Sequence, residues 1–149
     1  MTEAIEIELV DKIRPLITDG KYSARYIYHE TAKAFNEDKV YVYFDIVDPG
    51  ENFGIRLYRA YRVNSLIGQP RKNGRFTVKS RSELFLTLCN LFGERKSFRP
   101  DRISLCDLKN KIISVKVRTV VKDYKQRKLP ECLKYSVIDK LIEIEAGGG

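Results

Sequence analysis

From Asn52 to Ser82 the chain has no aspartate or glutamate, although acids account for 20 of its 149 residues. The gap leaves eight bases with no acid among them: Arg56, Arg59, Arg62, Arg71, Lys72, Arg75, Lys79 and Arg81. Cysteine is scarce too. Cys89, Cys106 and Cys132 are odd in number and far apart, which argues against a disulfide framework and fits reduced, packed thiols in a cytosolic protein. A single histidine and the lack of any C-x-x-C pair exclude a zinc-ribbon or zinc-finger arrangement. No Walker or dinucleotide glycine pattern occurs. No apolar run approaches the length of a membrane span, so no membrane partner is expected. The opening residues Met1 to Glu6 carry Glu3 and Glu6 and do not resemble a secretory signal.

What is present is concentrated. Bases number 28 in all, so removing the eight of the acid-free window leaves 20 against 20, and the formal charge of +8 is centred on that window. Charge gathered in this way sets up a field that draws a polyanion. Phe53, Tyr58, Tyr61 and Phe76 are interleaved with it. Cations for phosphates and flat rings for bases are what a single-stranded nucleic-acid site needs.

With 149 residues and 43% hydrophobic composition the chain can bury one sizeable core, so 1–146 reads as a single domain. Within it 1–18 is an N-terminal extension or a first strand, and 147–149 is a flexible tail. Asp19-Gly20 marks a turn, after which Tyr22, Ala24, Tyr26 and Tyr28 share one parity of a strand running to about Ala34. The β-branched and aromatic run from Lys39 to Val47 ends in the turn cluster Asp48-Pro49-Gly50, and Ile55 to Val63 returns as its hairpin partner. Period-two alternation puts Ile55, Leu57, Arg59, Tyr61 and Val63 on the core side, and Arg56, Tyr58, Ala60 and Arg62 on the opposite side.

Gly68 to Arg75 has the glycines, proline and Asn-Gly pair of a mobile, exposed loop. Ser80-Arg81-Ser82-Glu83 matches a capping box ahead of the helical stripe Leu84, Leu88 and Leu91, which predicts a helix over about Arg81 to Phe92 with Gly93 as its stop. A short helical turn is expected at Ser104 to Leu108, a strand over Ile112 to Val121, and a returning strand over Leu133 to Ile144.

About five strands in two hairpin groups with one helix between them is the element order of a small, mainly β, OB-fold-like antiparallel barrel. The chain also resembles the OB-fold single-stranded-DNA-binding proteins of phages and mobile elements. The resemblance rests on Asp19 to Ala24, on Tyr43 to Asp48 followed by Gly54 to Leu57, on the helix around Leu84 to Phe92, and on Asp107 to Lys111. It implies single-stranded DNA binding with little sequence preference, in replication or recombination. One departure is the ending Glu143 to Gly147, which lacks the acidic recruiting tail usual in bacterial single-strand-binding proteins.

Candidate binding residues are Arg56, Tyr58 and Arg62 on the middle strand, Arg71, Lys72, Arg75, Phe76, Lys79 and Arg81 in and beyond the basic loop, and Lys125, Arg127 and Lys128 in a second loop. Tyr58 either stacks on a base between phosphate-holding arginines or belongs to an exposed face whose charges deter aggregation. Phe76 is either a second stacking ring or core, and the Lys125 to Lys128 loop is either solvated or binding. RNA offers the same phosphates and bases, so it remains a possible ligand. The other reading is a phage-type interaction protein or inhibitor that lays its basic face on an acidic partner in a replication, recombination or host-defence complex. Catalysis has little to work with: His29-Glu30 lacks an identifiable nucleophile, and Asp45 with Asp48 lacks a third acid for a metal. No cofactor or metal is expected.

Overall fold

The computed structural model describes residues 14–34, 36–93, 103–123 and 125–147. Most of the expected N-terminal extension and the connection Glu94 to Asp101 lie outside them. The described strands are β1 (Gly20–Ala34), β2 (Glu37–Ile46), β3 (Arg56–Arg62), β4 (Ser65–Ile67), β5 (Arg75–Thr77), β6 (Lys111–Val120) and β7 (Tyr135–Gly147), with one α-helix, α1 (Glu83–Phe92), between β5 and β6. Five strands form an antiparallel sheet in the order β3-β2-β1-β6-β7, and β4 and β5 make a separate hairpin. The early part of β1 pairs with β6 and the later part with β2. β3 and β7 pack against each other without sharing a ladder, so the sheet curls toward a barrel that hydrogen bonds leave open. This is the expected small, mainly β, antiparallel arrangement with a helix between the two groups of strands, without a closed barrel.

Alternation builds the interior. Val40, Val42, Phe44 and Ile46 of β2 face Leu57 and Tyr61 of β3 and Ile113, Val115 and Val117 of β6 within one buried cluster. α1 adds Leu84 and Leu88. A 3-10 turn at Cys106–Leu108, where the sequence predicts one, contributes buried Leu108.

Strand β1 breaks the single parity expected of it. Tyr26 is opposite Phe44 and Tyr28 is opposite Tyr43, so Ile27 is one residue too many and forms a β-bulge. Before it Ala24 and Tyr26 are buried; after it the buried residues are His29 and Thr31. An extra residue in a period-two strand exchanges its faces and bends it. Tyr28 is therefore turned outward, away from the side taken by Tyr26.

Several local expectations need correction. The exposed loop expected at Gly68 to Arg75 is present, but it joins two short strands, β4 and β5, that were not expected, and it holds Asn73 at φ 55°, a left-handed position that asparagine tolerates. The helix is capped by Ser82, whose hydroxyl accepts from the Phe85 amide at 3.3 Å, and not by Ser80. Gly93 ends it at φ 66°, with its amide donating to the Cys89 carbonyl. Cys106 and Cys132 are exposed rather than packed. Gly147, assigned to the tail, is the last residue of β7.

The two faces of β2 predict unequal losses. Phe44→Ala should cost about 3–5 kcal/mol of unfolding free energy, as a fully buried ring does. Tyr43→Ala, one residue away on the outer face, should cost roughly 1–2 kcal/mol of cross-strand contact. Urea titrations giving equal losses would contradict this division of faces.

Candidate nucleic-acid interface

With Tyr28 turned outward, β1, β2 and β3 place tyrosines side by side, since Tyr28 is the register partner of Tyr43 and Tyr43 that of Tyr58. The Tyr28 and Tyr43 rings stack at 4.6 Å with 13° between planes. Tyr43 meets Tyr58 edge-on at 5.8 Å, and Tyr41 meets Tyr58 edge-on at 5.4 Å. These are the favoured geometries for aromatic pairs. The residues of the row are half-buried. It runs across the three strands at right angles to them, on the side of β3 that alternation turns away from the core.

Cations sit on the rings. Lys72 Nζ lies 4.7 Å and the Arg56 guanidinium 5.5 Å from the centre of Tyr28. Arg14 lies 5.7 Å from Tyr58 and 4.4 Å from Tyr135, bridging the two strands that the ladder leaves unjoined. Burial holds the Tyr58 hydroxyl above the usual phenol range, and Tyr135 beside it adds to the effect. Tyr58 thus reaches β7 as well as facing outward.

The acid-free window is not acid-free in space. Arg56 makes a two-pronged contact with Asp45 at 2.7 and 3.2 Å, Arg62 pairs with Glu37 at 2.6 Å, and Arg59 pairs with Glu83. Strand pairing and the start of α1 supply the acids that the intervening sequence lacks. Arg71, Lys72, Arg75, Lys79 and Arg81 are exposed and make no ion pair among the described residues. The positive charge of the window therefore resides in the β4-β5 hairpin and the segment leading to α1.

That hairpin is fastened to β1 just past the bulge. Thr31 N donates to the Arg71 carbonyl at 3.0 Å, Arg71 N donates to Thr31 Oγ1 at 2.9 Å, and Asn73 N donates to the His29 carbonyl at 2.6 Å. His29 Nε2 is 2.8 Å from the Gly74 carbonyl, which can only accept, so Nε2 carries the proton. Nδ1 is then free to accept from the Tyr26 hydroxyl at 2.9 Å, and the neutral ring has both nitrogens satisfied. Gly74 has no room for a side chain, because a Cβ there would run into Thr31 Oγ1. The clamp sets Lys72 against Tyr28 and carries the basic hairpin to the tyrosine row.

Phe76 is not a stacking ring. It is 2% exposed and packs edge-on against His29 at 5.8 Å, so the expected binding role is withdrawn in favour of the core. In the loop after β6, Asp123 accepts from the amides of Lys125 and Arg127 at 2.8 and 2.9 Å and pairs with the Arg127 side chain at 3.0 Å. Lys125, Arg127 and Lys128 are exposed there, beyond the Gly20 end of β1. Asp45 is engaged with Arg56, and Asp48 accepts from the Ser23 amide at 2.5 Å. The sequence reading missed Arg14, Tyr28, Tyr41 and Tyr43. The signal for two of them was the alternation of Tyr41 and Tyr43 with Val40, Val42 and Phe44. No family model, curated protein or solved structure matches the chain.

No helix among the described residues is long and apolar enough to cross a membrane.

The clamp makes stability pH-dependent. Burial lowers the His29 pKa from 6.5, the hydrogen bond to Gly74 opposes this, and Lys109 adds to the lowering. The folded state then binds the proton less readily than the unfolded chain, so its stabilisation is whole above about pH 6.5 and is lost as pH falls below it. Urea unfolding between pH 7 and pH 5 should show a decline of up to about 1.4 kcal/mol per pH unit from this group. His29→Gln should flatten that decline; an unchanged profile would remove His29 as its source.

Proposed function

We propose that the chain is a non-catalytic protein that binds single-stranded nucleic acid, single-stranded DNA with little sequence preference, on the outer face of β1, β2 and β3. The observation that carries this reading is the unbroken row Tyr28, Tyr43 and Tyr58 with the exposed cations of the β4-β5 hairpin, which make no ion pair among the described residues, fastened at its end. A base that stacks on Tyr28 takes the place of Lys72 and Arg56, which move to the flanking phosphates. The Arg62 pair with Glu37 is exposed at 74% on the arginine side, and a pair so open is weak enough to yield to a phosphate. Rings read any base by its face, which gives affinity without a preferred sequence. The β2 and β3 face is also where OB-fold barrels hold oligonucleotides. A setting in phage or mobile-element replication or recombination, in the cytoplasm where exposed thiols stay reduced, goes with this reading.

Fluorescence anisotropy with a labelled oligothymidylate tests it. Four to six neutralised phosphates give a log-log salt slope of about −3 to −4. Tyr43→Ala should weaken binding by about 1–3 kcal/mol, roughly five- to 150-fold. An affinity that ignores both salt and Tyr43 would contradict the proposal. No binding at low salt, together with one stoichiometric protein partner, would transfer the face to protein docking.

A further inference from the structure

Strand pairing assembles a second cationic site from three distant segments. Lys21 of β1 is the register partner of Lys116 of β6, and Lys116 is the partner of Lys140 of β7. All three are exposed, and none makes an ion pair among the described residues. Directly opposed residues of an antiparallel pair project to one side, and neighbouring strands are about 4.8 Å apart, so the row spans about 10 Å. Like charges set opposite each other cost a sheet stability. Lysines on an edge strand guard against aggregation, but that explains Lys140 alone, since β6 is flanked by β1 and β7 and β1 by β2 and β6. Of the nearby acids, Asp139 pairs with Arg118 at 3.0 Å, whereas Glu145, which accepts from the neutral Ser23 hydroxyl at 2.5 Å, and Glu143, opposite Ser114, keep their charge, two acids against the three opposed lysines. The row holds repulsion that an anion with several charges relieves.

We propose that Lys21, Lys116 and Lys140 form a second phosphate track, on the half of the sheet away from the tyrosine row, along which a long bound strand continues after rounding the bend of β1. This rests on the single-strand reading above. The outward side chains of β1 connect the two sites: Lys21, Ser23 and exposed Arg25 precede the bulge, and Tyr28 follows it. Seven residues at about 3.3 Å each separate Lys21 from Tyr28, some 23 Å along the strand. A single fold of this type covers about 4 to 16 nucleotides, so a short oligonucleotide occupies the tyrosine row alone and a long one reaches the lysines.

The test compares the wild type with the triple variant K21Q/K116Q/K140Q, using oligothymidylates of about 5 and about 15 nucleotides across a salt series. The short ligand should bind both proteins within about twofold. The long one should bind the variant at least about tenfold more weakly, with a salt slope shallower by about 2, as loss of three phosphate contacts requires. Urea midpoints confirm that the variant is folded, and relief of repulsion should leave its midpoint equal or higher. Equal losses for both lengths would mean a diffuse field, and no loss for the long ligand would mean no contact; either overturns the track. In both cases a short ligand that still depends on Tyr43 keeps the tyrosine site intact. A wild type that binds neither oligonucleotide overturns the track together with the reading beneath it.

Discussion

One surplus residue in β1 governs the arrangement of the rest. The bulge at Ile27 reverses the faces of the strand, and two consequences follow at once. Tyr28 turns outward to complete an aromatic row with Tyr43 and Tyr58, while His29 and Thr31 turn inward to hold the segment Arg71 to Gly74. Without it, period two would send Tyr28 to the core side and His29 toward solvent. The bend also divides the outer surface in two, with rings and the basic hairpin on one half and the lysine row on the other.

Charge in the sequence and charge in space differ in this molecule, and in both directions. The eight bases of the acid-free window look alike on paper, yet Arg56, Arg59 and Arg62 find Asp45, Glu83 and Glu37 once β3 pairs with β2 and α1 begins. Conversely, Lys21, Lys116 and Lys140 are far apart in the chain and draw no attention there, but become adjacent through two strand pairings. A cation in a strand is neutralised by what the fold brings beside it, an acid of the paired strand for Arg56 and Arg62 and one of the helix for Arg59, not by what precedes or follows it in sequence.

The long strands, the β2-β3 hairpin, the helix with its glycine stop and the 3-10 turn before β6 were legible, because each rests on a local pattern of period or capping chemistry. The outward face of Arg56, Tyr58 and Arg62 was legible for the same reason. The bulge was not, since Tyr22 to Tyr28 keeps a perfect alternation and only pairing with Phe44 and Tyr43 reveals the extra residue. The place of the Gly68 to Arg75 segment was hidden too. Its glycines and proline indicate a turn, whereas its attachment depends on a histidine 45 residues earlier. Phe76 illustrates the limit most simply, for a ring beside an arginine reads the same whether it faces solvent or, as here, packs against His29.

In the proposed function, and in the lysine track proposed beside it, a single strand lies across the outward tyrosines of β1, β2 and β3. Ring-selective NMR of tyrosine-labelled protein during titration with oligothymidylate examines it most directly. Signals of Tyr28, Tyr43 and Tyr58 should shift together and saturate with the ligand, while those of Tyr26 and Tyr61, buried in the core, stay in place. Saturable binding with the three outward rings unmoved would contradict it.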